Sequence, residues 1–111
     1  MRKYLALHIG GQKWGVYLVS RKHKALRGDC VGICVYDDCK IYIAKDLTAQ
    51  VFEDTLLHEL LHAVIYVSGG TNVLDAECRR DSAKAEEQIV RCMTPMLHRL
   101  LKDLGFLFPA K

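Results

Sequence analysis

The sequence predicts an α+β fold, a small and mostly antiparallel sheet followed by two main helices. Three observations predict it. The chain has 111 residues, enough for a single core spanning 1–111 but not for two. Up to about residue 45 it reads as short β-branched and aromatic runs broken by turn residues, and beyond that as long runs with helical spacing. All the strand-like runs precede all the helical ones, the order expected of α+β rather than of alternating α/β folds. The composition, 50% hydrophobic and 26% charged, excludes a disordered chain.

The elements follow in order. Residues 3–9 and 13–19 are strands joined at Gly10-Gly11, a strong hairpin signal. Residues 20–28, SRKHKALRG, are polar and basic and read as a loop. Residues 31–36 and 40–44 are two short strands around the turn Asp37-Asp38, and Ile41 and Ile43 mark the buried side of the second. Thr48 or Asp46 caps a helix that runs without proline to Gly69-Gly70, with Glu53 and Asp54 near its positive end. It is apolar on nearly every side from Leu56 to Val67, so it should be central and buried. A second helical region spans about 75 to 104, with a break expected near Asp81-Ser82 and a kink at Pro95. Its apolar stripe is Ile89, Val90, Met93, Leu97, Leu100 and Leu104; Gly105 ends it and FLFPAK is a tail.

The central helix contains His58-Glu59-Leu60-Leu61-His62, an HExxH motif. Residues four apart share a helix face. Two imidazoles so placed can reach one Zn²⁺, while Glu59 is offset and can take the proton of a zinc-activated water. An ordinary core helix would have to bury two histidines and a glutamate without partners, at several kcal/mol. A catalytic zinc takes three protein ligands. The metzincin extension is absent, because Ile65 and Ser68 stand at its key positions. The candidates for the third ligand are therefore acids of the second helix. Glu86, in phase with Ile89, Val90 and Met93, is the first choice; Glu87, rotated by about 100° toward Arg91, is the second. His98 is the only later histidine and a distant third.

The runs DTLLHELLHAVIYVSG and EEQIVRCMTPMLHRLLKDLGF resemble small phage- and prophage-encoded zinc metallopeptidases, relatives of minimal gluzincins and of ImmA/IrrE-like peptidases. The resemblance spans about residues 28–109. It implies a zincin-like minimal core, with a three-stranded sheet beside two helices. It further implies His58 and His62 as zinc ligands, a downstream glutamate as the third, and Glu59 as base. It also implies that the strand at 40–44 borders the cleft and pairs with an extended peptide or protein substrate.

Other features carry blander readings. Cys30, Cys34 and Cys39 lack the second pair of a structural zinc site and read as free thiols. Five cysteines without an export signal point to a reducing cytoplasm, that of a bacterial host if the resemblance holds. No apolar run approaches the ~18 residues of a membrane span. Residues 1–28 carry seven Lys or Arg and no acid, whereas 29–111 carry nine basic and thirteen acidic residues. The basic loop reads as solvated, with a flap over the active site as a second possibility. No nucleic-acid motif accompanies it, so no nucleic-acid partner is expected. His8 and Tyr42 are the remaining candidates for a transition-state donor. The function expected is that of a zinc-dependent peptidase, cutting peptide bonds with a Glu59-activated water. The alternative is a non-catalytic zinc-containing regulatory or interaction module of a phage.

Overall fold

A computed structural model describes residues 1–78 and 81–110. It has four strands followed by three helices, two of them long. Strands β1 (Arg2–Ile9) and β2 (Gln12–Val19) form an antiparallel hairpin. Its turn residues Gly10 and Gly11 have φ of 57° and 86°, the left-handed pair that a type I′ turn requires. Strands β3 (Gly32–Val35) and β4 (Lys40–Ala44) form a second hairpin. The two hairpins join through β2 and β4, which run parallel, giving the order β1-β2-β4-β3.

This order corrects two expectations. The sheet has four strands, not three, because β1 and β2 also belong to it. The strand at 40–44 cannot accept an added peptide, because β4 is hydrogen-bonded on both sides; the edge strands are β1 and β3.

One face of the sheet carries Val16, Leu18, Ile41 and Ile43, and these pack with Phe52, Leu56 and Ala63 of helix α1 (Ala49–Val67) into the core. Thr48 caps α1, its hydroxyl accepting from the Val51 amide. Gly32 sets how close β3 comes to α1. A Cβ there would lie 2.5 Å from Thr55 Cγ2 and 3.4 Å from Glu59 Cγ. Helix α1 is not buried on every side: Val64 and Tyr66 are 46% and 42% exposed. The sheet covers one side of it and helix α3 another, and the remainder meets solvent.

The expected second helical region is two helices, α2 (Gly70–Cys78) and α3 (Ser82–Asp103); residues 79–80 of that span lie outside the described residues. Helix α3 continues through Pro95. It ends in a Schellman arrangement, with the Phe106 amide donating to the Leu101 carbonyl and the Gly105 amide to that of Lys102. The tail folds back, and the Tyr4 hydroxyl donates to the Pro109 carbonyl. Residue 111 of that tail lies outside the described residues.

The phase of α3 differs from expectation. Its buried row is Val90, Thr94 and His98, while Ile89, Met93 and Leu100 are 40–58% exposed and Leu104 is more so. Thr94 and His98 tolerate burial because their polar atoms are satisfied: the Thr94 hydroxyl donates to the Val90 carbonyl, and His98 meets carboxylates. No described helix is long and apolar enough to cross a membrane.

Candidate metal centre

Helix α1 presents His58 and His62 one turn apart, with ring centroids 5.0 Å from each other. Helix α3 crosses beside them and brings Glu86 and Glu87 opposite. The two oxygens of Glu87 divide between the imidazoles, Oε1 at 3.1 Å from His58 Nε2 and Oε2 at 3.0 Å from His62 Nε2. Glu86 approaches the other side of His62, with Oε2 at 2.6 Å from Nδ1. His58, His62 and Glu87 each offer one donor atom within 4.8 Å of the others, and among the described residues they are the group that could hold a metal ion.

Glu87, the second choice from the sequence, stands in that group, while Glu86, the first, lies at Nδ1 of His62. The reason lies in depth. Glu86 is the more buried of the two, with 13% of its side chain exposed against 37% for Glu87, and it sits behind His62. Glu87 stands at the rim, where both Nε2 atoms converge. Thr71, from α2, donates its hydroxyl to Glu86 Oε1 at 3.3 Å. A relay Thr71–Glu86–His62 results, and the sequence carried no signal of it because Thr71 lies in a different helix.

The donor set fits a cation. Both ring nitrogens of His62 face carboxylates, yet a neutral imidazole carries only one N–H. If that N–H is Nδ1–H, bonded to Glu86, the lone pair of Nε2 faces Glu87 oxygen, a repulsive contact that a cation between them removes. Carboxylate partners on the outer nitrogen are the usual support of a metal-ligating histidine.

Glu59 is not in this group. It is buried to 9% exposure beside Gly32, and burial pushes its carboxyl up to about 7, with His62 opposing and Glu87 adding to the rise. Burial holds His58 below the usual imidazole range, against the pull of Glu87. Burial would raise Glu87, but the Arg91 guanidinium (Nε donating to Oε1 at 3.1 Å) and the two imidazoles outweigh it and hold it below the ordinary carboxylate range.

An open cleft of about 570 Å³ lies between β3 and α3, lined among others by Cys30, Gly32, His58, Glu59, Glu87 and Arg91. Tyr36, at the end of β3, escaped the sequence reading. Burial, then the field of Cys34, Glu86, Glu59 and Glu87, raises its phenol, and its ring packs at a tilt on Tyr66, centroids 4.6 Å apart. The two donors named from the sequence are elsewhere. Tyr42 pairs with Tyr17, and His8 with Lys13, on the sheet face opposite Gly32.

His98 is not a further ligand. It lies toward the other end of the α1–α3 interface, 2.8 Å from both Glu53 Oε1 and Asp54 Oδ1. Glu53 and Asp54 thus serve as partners of His98 rather than only as helix-end charges. Cys30, Cys34 and Cys39 are free, and burial, followed by Glu59 and Glu86, pushes the Cys34 thiol up to about 12. The basic loop is not a flap over the cleft. Leu26 is buried, Arg21 pairs with Asp46 at 2.9 Å, and His23 stacks on Tyr42 on the far face of the sheet. Searches against protein-family models, curated proteins and solved structures find no match to this chain.

Proposed function

We propose that the protein is a zinc-dependent peptidase. The observation that carries this reading is the convergence of both Nε2 atoms of an HExxH pair on one carboxylate from a second helix, with a second buried carboxylate braced against His62 Nδ1. His58, His62 and Glu87 would hold the ion. Zinc supplies Lewis acidity toward a carbonyl and toward water.

The chain's own residues account for the rest. Glu86 holds the Nδ1 proton of His62 and so keeps Nε2 free for the ion. Glu59, raised toward neutrality by burial, is suited to take a proton from the attacking water and deliver it to the leaving amine. The cleft is open on the β3 side. Val31 and Ala44 are hydrogen-bonded to each other, so by strand alternation the backbone groups of Gly32 and Cys34 face away from β4. An extended peptide can add to that edge directly beside Glu59. The free thiols support a reducing compartment, the host cytoplasm suggested by the resemblance to phage peptidases.

The test is elemental analysis joined to one substitution. The purified protein should carry one zinc per chain, and less than about 0.2 per chain under non-chelating conditions would end the reading. Glu59→Gln should keep the zinc and lose peptide hydrolysis by about 10²-fold or more. Equal hydrolysis by the variant would remove Glu59 from the role of base.

A further inference from the structure

The sheet has a second face, and the helices pack on the other one. Gly32 approaches α1, and Gly32 pairs with Ile43, so Ile41 and Ile43 mark the helix side. Register and alternation then assign the opposite side. Tyr17 pairs with both Lys3 and Tyr42, and Lys40 pairs with Gly15, two residues before Tyr17; Lys13 lies two residues before Gly15. Lys3, Lys13, Lys40, Tyr17 and Tyr42 therefore share the face that α1 does not touch.

These side chains are organised. Tyr17 stacks with Tyr42 at 5.7 Å and Tyr42 with His23 at 5.4 Å, with interplanar angles of 29° and 23°. The Lys40 ammonium sits 5.6 Å from the centre of the Tyr17 ring, over its face. Tyr17 lies low across Gly15, where a Cβ would come within 2.8 Å of its ring. Beside the stack is a hollow of about 170 Å³ whose lining includes Lys3, Lys13, Lys40 and Tyr17, with Asp38 as the one carboxylate among its described lining residues. Lys22 and Lys24 flank His23 in the chain, and residues 1–28 contain seven cations and no acid. Arg21 is engaged by Asp46 and is not counted toward the surface.

We propose that this face binds single-stranded nucleic acid: the lysines take backbone phosphates and the Tyr17–Tyr42–His23 stack takes bases. Charge excludes a basic partner. The row of near-parallel rings between cations matches the way single strands are held, by a cationic track and ring stacking. A duplex hides its bases and would leave the rings unused. The proposal stands apart from the peptidase reading, since the stack and His58 lie on opposite faces of the sheet.

The test is fluorescence anisotropy with a labelled oligothymidine of about 20 nucleotides, titrated with the full chain across a range of salt. Binding should weaken with salt at a log–log slope of about −2, the value for three phosphates neutralised on a single strand. The triple variant K3A/K13A/K40A, altering three surface lysines, should abolish most of that slope and lower affinity at least about 10-fold while keeping the circular dichroism of the parent. Tyr42→Leu should weaken binding about 5-fold or more, and Tyr42→Phe should restore it. Glu59→Gln and chelator treatment should leave binding unchanged. Three results would overturn the proposal: no binding at low salt, unaltered binding by the triple lysine variant, or competition by polyglutamate or anionic vesicles as effective as that by unlabelled oligonucleotide.

Discussion

Two histidines on the α1–α3 interface, His62 and His98, are held in nearly the same way and have opposite characters. Each has carboxylates against both ring nitrogens, at 2.6 and 3.0 Å for His62 and at 2.8 Å on both sides for His98. At His98 a further cation closes the group, with Lys102 Nζ 3.2 Å from Glu53 Oε1. Glu53 and Asp54 there have both His98 and Lys102 as partners. At His62 a second imidazole converges instead, and three carboxylates (Glu59, Glu86 and Glu87) surround the pair with Arg91 as the near cation. One cluster is a lock between helices. The other has an excess of acceptors, and it opens on a cleft. The group that could hold an ion is the one beside open space, and the His98 group ties α1 to α3.

Substitution at each histidine should separate them. The largest effect expected is on zinc. His62→Ala should lose stoichiometric zinc, whereas His98→Ala should retain it, as read by elemental analysis after desalting. The same contrast applies to stability. Saturating zinc at 100–1,000 times its dissociation constant should add about 3–4 kcal/mol to the parent, and chelation should remove it. That zinc-dependent increment should vanish in His62→Ala and persist in His98→Ala. The latter variant should instead lose about 3 kcal/mol with or without metal, because Glu53 is left largely buried beside Lys102 alone. Urea titrations with and without chelator measure both quantities.

Glu59 sharpens the comparison through pH. In the metal-free protein its carboxyl is raised from an ordinary 4.5 to about 7. Below pH 4.5 the folded and unfolded chains are both protonated and no penalty exists. Between those values the unfolded chain ionises first, so the fold loses stability as pH rises, and above about 7 the loss is complete, at ~3 kcal/mol. Metal-free Glu59→Gln should therefore be more stable than the parent at pH 8 by up to that amount, and equal to it at pH 4. A smaller effect belongs to Glu86. Replacing it by Gln should weaken zinc binding by about 10-fold without abolishing it, since it supports His62 rather than holding the ion. The smallest effect concerns the thiols. At pH 8, exposed Cys30 and Cys92 should react with a thiol reagent well before Cys34, whose ionisation is pushed up to about 12.

What the sequence made legible was whatever a local rule encodes. Gly10-Gly11 announced the first hairpin, the change of period announced the helices, and the spacing of His58 and His62 announced a shared face. Which acid stands opposite both imidazoles was not legible, for a reason visible in α3. That helix carries two rows side by side. The more hydrophobic, through Ile89, Met93, Met96 and Leu100, faces solvent, and the buried one is Val90, Thr94 and His98. Hydrophobicity selects the wrong row, because Thr94 and His98 are buried by virtue of hydrogen bonds and ion pairs that only the assembled helices provide. Glu86 is the deeper acid, as its expected phase requires, but that Glu87 reaches both Nε2 atoms depends on where the helices cross. Strand order was hidden likewise, since alternation in β4 says which residues are inside but not that the strand is flanked on both sides.

The parallel seam between β2 and β4 has a kinetic consequence. Each antiparallel hairpin is closed by a turn of a few residues, whereas Gly15 meets Lys40 and Val19 meets Ala44 across 25 positions of chain. Loop closure makes the hairpins the early structures and the seam the late one. Until it zips, β3 has no fixed relation to β2, and Gly32 cannot settle against Thr55 and Glu59. Slowed refolding on weakening the seam, as by Val16→Ala, with little change in the exchange of β1–β2 turn amides, would be the mark of that order.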